Sequence, residues 1–175
     1  KSIDNSITIL PDINNLYDIK YKGDKIIIEF LDSLEDNQTY ILSINRDLKD
    51  EHNVPIDEGI QLAFSTGDKI DYGIISGRIH HSSTASVHLW SIGDSSDQVY
   101  FWKRPPDYKI DASDDGEYKF NYLSPGDYKV MGFDKKVSTN LIDPDNTVYG
   151  IPFLEKITID TINKVLDHIN IVVPK

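Results

Sequence analysis

Cysteine is absent from this chain, which excludes disulfides and thiolate-bound metals. Basic residues are scarce. The 18 Lys and Arg stand against 29 Asp and Glu, and the formal charge is −11. Phosphate binding needs clustered Lys and Arg, so this balance argues against nucleic acid as a partner and against a direct hold on an anionic membrane surface. No apolar run approaches the ~18 residues of a membrane-spanning helix, and no signal peptide is visible. The first residue is Lys1 and not Met, so the chain reads as a mature or excised piece of something longer. Neither G-x-S-x-G nor HExxH occurs. Without a nucleophile motif or a metalloprotease motif, the expectation is a non-enzyme.

What is present is strand pattern. The chain of 175 residues is long enough for one domain or two small ones. Apolar, β-branched runs at 6–9, 16–21, 25–30, 39–45 and 60–65 are separated by loops of Asp, Asn, Glu and Pro. Such spacing describes a β-sandwich. Gly67-Asp68 breaks the series, and a second one follows at 73–79, 85–92, 98–102, 107–111, 153–159 and 168–173. Its centre is 114–134, where Tyr118 and Phe120 alternate with polar residues. Ser124-Pro125-Gly126-Asp127 then turns the chain, and Tyr128 and Val130 resume the alternation. Period-two apolar residues broken by Pro-Gly predict two antiparallel strands joined as a hairpin. Ile159, Ile162, Leu166 and Ile169 fall at helical spacing, which leaves 160–167 between a loop and a short helix. The fold class read from the pattern is all-β, as two tandem β-sandwiches over 1–67 and 68–175.

Two stretches carry family resemblances. Asn37-Gln38-Thr39-Tyr40, Leu48-Lys49-Asp50 with Asn53 and Pro55, and Phe64-Ser65-Thr66-Gly67 resemble the later part of the bacterial Ig-like domains of surface proteins. His52 and Val54 depart from that pattern. The resemblance implies that this Ig-like domain is incomplete, its first strands lying before Lys1, with a sheet edge left unpaired or filled by another segment. Ile75-Ser76-Gly77-Arg78-Ile79, Val87-His88-Leu89-Trp90 and the run Gly116, Tyr118, Phe120, Leu123, Gly126, Tyr128, Val130 resemble carboxypeptidase regulatory-like domains, which are transthyretin-like sandwiches without peptidase chemistry. The order of the two resembles surface or outer-membrane lipoproteins of Bacteroidota. It implies an exported, non-enzymatic structural or interaction module of the cell envelope, meeting other surface proteins and holding any lipid anchor outside this chain. A carbohydrate-binding module and the non-catalytic appendage of a larger surface enzyme are the alternatives.

The candidate sites are few. The second resemblance implies an oxygen-rich loop after Phe133, of the kind that folds around calcium. Asp134, Asp143 and Asp145 are its candidates, but Lys136 and Ser138 interrupt the spacing, so a plain acidic loop is the other reading. His80 and His81 are adjacent and point to opposite faces of a strand, so they cannot share a zinc ion. His88 alternates with Val87 and Leu89 and is expected to face outward. Trp90, Tyr100, Trp102 and Arg104 form a candidate exposed patch for a protein or a glycan, against the reading that these aromatics are core. Ser33 and Thr161 lie in Asp-Ser-Leu and Asp-Thr-Ile, which resemble the O-glycosylation sites of Bacteroidota. Asp114 and Asp115 form a carboxylate pair in a turn, where Asp serves backbone hydrogen bonding.

Overall fold

The computed structural model describes residues 6–13, 16–44, 48–50, 52–54, 60–81, 85–93, 100–134, 142–143 and 146–174. The chain divides into two compact units, Lys1–Ile70 and Asp71–Lys175. Among the described residues every regular element is a strand, apart from one 3₁₀ turn at Phe101–Lys103.

Unit 1 contains β1 (Ile7–Leu10), β2 (Tyr17–Lys22), β3 (Lys25–Phe30), β4 (Thr39–Ile44) and β5 (Ile60–Ser65). β1, β4 and β5 form one antiparallel sheet in that order, and β2 and β3 form a separate hairpin. The hairpin turns at Gly23 and splits its chemistry by face. Tyr17, Ile19, Tyr21, Ile26, Ile28 and Phe30 share one side, while Lys20 donates to Glu29 on the other. Directly opposite residues in an antiparallel pair share a face, so the apolar side is continuous. It meets the three-stranded sheet through Phe30 against Phe64, with ring centroids 5.9 Å apart.

Unit 2 contains β6 (Gly73–His80), β7 (Ser86–Ile92), β8 (Tyr108–Asp111), β9 (Glu117–Leu123), β10 (Gly126–Phe133), β11 (Tyr149–Gly150), β12 (Ile157–Ile159), β13 (Val165–Leu166) and β14 (Ile171–Val172). One sheet runs β11-β10-β7-β8, with β12 also on β10. The other holds β9 and β6, with β13 and β14 parallel to β6 on its far side. Val87, Leu89, Tyr128 and Val130 line the inner face of the first sheet. Gly132 shares that face and lies against Ile79 and Ile171 of the second. The apolar residues of both inner faces make the main core.

The structure corrects two expectations here and decides the choice left open at 160–167. Residues 114–134 are not a hairpin: β9 pairs with β6 and β10 pairs with β7, in different sheets. Ser124-Pro125 is therefore a corner between layers. The Tyr128 hydroxyl ties it by donating to the Ser124 carbonyl at 2.6 Å, and Tyr122 enters it at φ 60°. Period two reports which face is buried and says nothing of the partner strand. The expected strand at 98–102 is a 3₁₀ turn where it is described, at Phe101–Lys103. The helix over 160–167 does not form. Asp160 Oδ1 accepts the N–H groups of Ile162 and Asn163 at 2.7 and 2.6 Å, a side-chain turn that competes with helix, and Ile162 is fully out in solvent. The Asp114-Asp115 pair sits in a tight turn closed by Gly116 at φ 79°, whose N–H donates to the Ser113 carbonyl at 2.8 Å.

Segment 164–173 runs beside β6 as an interrupted parallel strand. The interruption falls at Gly77, where a Cβ would sit 2.1 Å from the Ile169 carbonyl oxygen. Asn170 and Ile169 bridge the gap by bonding the backbone of Arg78 and Ser76. A Gly77→Ala variant is therefore expected to lose about 3 kcal/mol, the upper range for overpacking against fixed backbone, with urea unfolding as the measurement.

Candidate functional site

The outer face of the β10-β7-β8 sheet is not solvent. Trp90 of β7 and Met131 and Phe133 of β10 are buried there beneath Phe101 and Ile142, and Trp102 and Tyr149 pack against the cluster. Phe101 meets Trp90 edge-on at 5.1 Å. β7 is thus buried on both sides along most of its length.

This overturns the outward placement of His88 and Trp90. Both are completely buried. The Trp90 Nε1–H donates to the Arg104 carbonyl at 3.1 Å. Arg104 is the strut that holds this connection down. Its guanidinium donates to Asp107 Oδ1 at 2.8 Å and to the Ser91 carbonyl, and Asp107 Oδ2 accepts the Ser91 N–H at 2.7 Å. Trp90 and Arg104 therefore leave the candidate patch, one as core and the other as scaffold. Tyr100 stays exposed, with Trp102 edge-on beside it at 5.7 Å and Lys103 Nζ 4.2 Å above its ring.

Sequence reading missed the surface next to this turn. Between β11 and β12 the chain leaves the edge of β10, and Ile151, Pro152, Leu154 and Ile157 form with Phe101 a dent of about 100 Å³. Phe153, at the crest of that segment, is 103 % exposed, and Ile151 and Leu154 are at least half exposed. Covering one such side chain is worth about 1.5–3 kcal/mol, so leaving three together in water is a sizeable forfeit. Lys156 and Thr158 both donate to Asp127 at 2.6 Å, which fixes the segment where it rejoins the sheet. The signal was the adjacent pair Phe153-Leu154 behind Pro152, which breaks period two at the start of the expected strand 153–159. That strand is only Ile157–Ile159.

The other candidates are dispersed. His80 and His81 are exposed, and no group of three His, Asp or Glu that would hold a metal exists among the described residues. Asp145 and most of the loop after Asp134 lie outside the described residues. Asp143 accepts from the Asn146 side chain at 2.6 Å and from its backbone N–H. Ser33 and Thr161 are both exposed in turns, each following an aspartate that caps backbone N–H groups.

His88 is the anomalous group of the site. Among the described residues neither ring nitrogen has a hydrogen-bond partner, and Phe133 lies 4.8 Å from its ring. Burial, and secondarily the nearby Lys109 charge, push its pKa down to about 3 from 6.5.

No family model matches this sequence, and no curated protein matches it. Among solved structures, the major pilin subunit of Bacillus cereus and a variant of the same subunit align with 99% of this chain, at TM-scores of 0.35 and 0.36 and identities of 15% and 13%. The chain spans 58% of the length of those pilin chains. A likeness at that level carries no argument about function.

The buried imidazole makes a pH dependence that can be measured. Above pH 6.5 it is neutral in both folded and unfolded chains and contributes none. Between 6.5 and about 3 the unfolded chain takes up a proton that the fold refuses, so stability falls with pH by about 1.4 kcal/mol per unit. His88→Leu is expected to remove a loss of about 2 kcal/mol between pH 7 and pH 5, read by urea unfolding at both, and to be no less stable at pH 7 because two unpartnered nitrogens are gone.

Proposed function

We propose that this chain is a non-enzymatic interaction module that docks a protein partner on unit 2, across Tyr100, Trp102, Ile151, Phe153 and Leu154. The observation that carries the reading is Phe153, fully in solvent on a segment pinned to the sheet at Asp127. A large exposed apolar patch beside aromatic residues and a few charges has the composition of a protein interface core and rim. The patch adds the aliphatic Ile151 and Leu154 to its three aromatic residues, and these favour protein over sugar rings as its occupant. The resemblance to envelope proteins supports an exported, cell-surface setting. The domain identities, Ig-like and then transthyretin-like, belong to the same reading. The first is supported by the stretches 37–40 and 64–67, the second by the run from Gly116 to Val130 and the two-layered sheets of unit 2.

Photo-crosslinking from position 153 on intact cells of the source organism tests it. The expected result is one dominant protein adduct, lost when Ile151 and Leu154 are both changed to Asp. Binding to glycans with no protein adduct would overturn the reading. Both side chains are at least half exposed, so neither substitution should cost more than about 1 kcal/mol in unfolding.

A further inference from the structure

We propose a second contact site, on unit 1, at which two copies of this chain pair through the outer edge of β5. It is independent of the patch on unit 2.

β5 is the end strand of its sheet, and no described strand pairs with its outer side. Edge strands are ordinarily guarded by charge, proline or bulges. β8 carries Lys109 and Asp111 and β9 carries Glu117 and Lys119, but Ile60–Ser65 has no charge and no proline over its six residues. The register places Ile60, Leu62 and Phe64 on the same face as Ile7, Ile9 and Tyr40. On that face Ile7, Ile9 and Tyr40 are buried, whereas Ile60 is 44% and Leu62 55% exposed. The β2–β3 hairpin reaches β5 at Phe64, through Phe30, and leaves Ile60 and Leu62 exposed beyond it. The apolar layer is thus open along one side, next to an unguarded strand edge.

An edge of this kind accepts an extended segment that is apolar at every second residue and uncharged. β5 itself meets that description. Two copies related by a two-fold axis through Leu62 would set Leu62 against Leu62 and Ile60 against the partner's Phe64, keeping all apolar residues on the layer already formed. Gln61 would face the partner's Ala63, so charge meets no charge along the whole strand. The product is one six-stranded sheet in which each copy supplies the apolar neighbours that the other lacks. The contact is isologous and therefore closes at two. Each copy carries −11, so the dimer forms against like-charge repulsion and strengthens with salt.

The absence of cysteine gives a clean test on the full chain. Opposed residues in antiparallel strands have Cα atoms about 4.5–5.5 Å apart, within disulfide reach. Leu62→Cys is expected to oxidise to a covalent dimer, while Thr8→Cys, also exposed but on β1, stays monomeric under the same oxidant. Sedimentation of the unmodified chain over a hundredfold concentration range should show monomer and dimer, with dimer favoured by salt. Leu62→Lys, which opposes two ammonium groups at the axis, should shift the equilibrium at least tenfold toward monomer. A monomer at every concentration and salt, equal cross-linking at both cysteine positions, or growth beyond dimer would each overturn the two-fold pairing.

Discussion

The antiparallel pairing of β7 with β10, buried on both faces, is the constraint on which unit 2 depends. Seven residue pairs run from Ile92 opposite Asp127 to Ser86 opposite Phe133. Inside, Leu89 and Val130 meet the second sheet. Outside, Trp90 and Phe133 meet the 3₁₀ turn and Ile142. A sheet with one wet face offers its outer residues for binding. This one spends them on a second core, so contact with other molecules is displaced to the rim, where the covering segments end.

That displacement explains what the sequence disclosed and what it hid. Strand positions were legible from runs of β-branched and apolar residues: 25–30 and 60–65 are strands with those very bounds. Alternation then misled at His88 and Trp90, because it assumes that the other face is water. The lid over them comes from distant connections whose own patterns are irregular. The corner at Ser124-Pro125 was hidden for a related reason. Strands in two layers that face one core share the same alternation as strands in one hairpin. At 160–167 helical spacing lost to local chemistry, since the Asp160 side chain satisfies the N–H groups that a helix would have used.

The candidate site was half legible. Tyr100 and Trp102 were found by their aromatic character. Ile151, Phe153 and Leu154 were missed because exposed apolar residues look, in sequence, like core. The same confusion hid β5, which reads as an ordinary interior strand and lies at an edge. In both units the informative residues are apolar side chains that the fold leaves uncovered, whereas Asp160, Asp107 and Arg104 serve turns and struts. His88 is the exception in energy only: it destabilises the fold in acid without facing anything outside.

The most direct test of this account is residue-resolved amide hydrogen exchange on the whole chain. If β7 and β10 are buried on both faces, the amides of Val87 to Trp90 and of Val130 to Phe133 exchange only through global unfolding of unit 2, and are the slowest in it. Exchange of His88 and Trp90 at the rate of the exposed edge strands would contradict the doubly buried frame, and with it the assignment of contact to the rim.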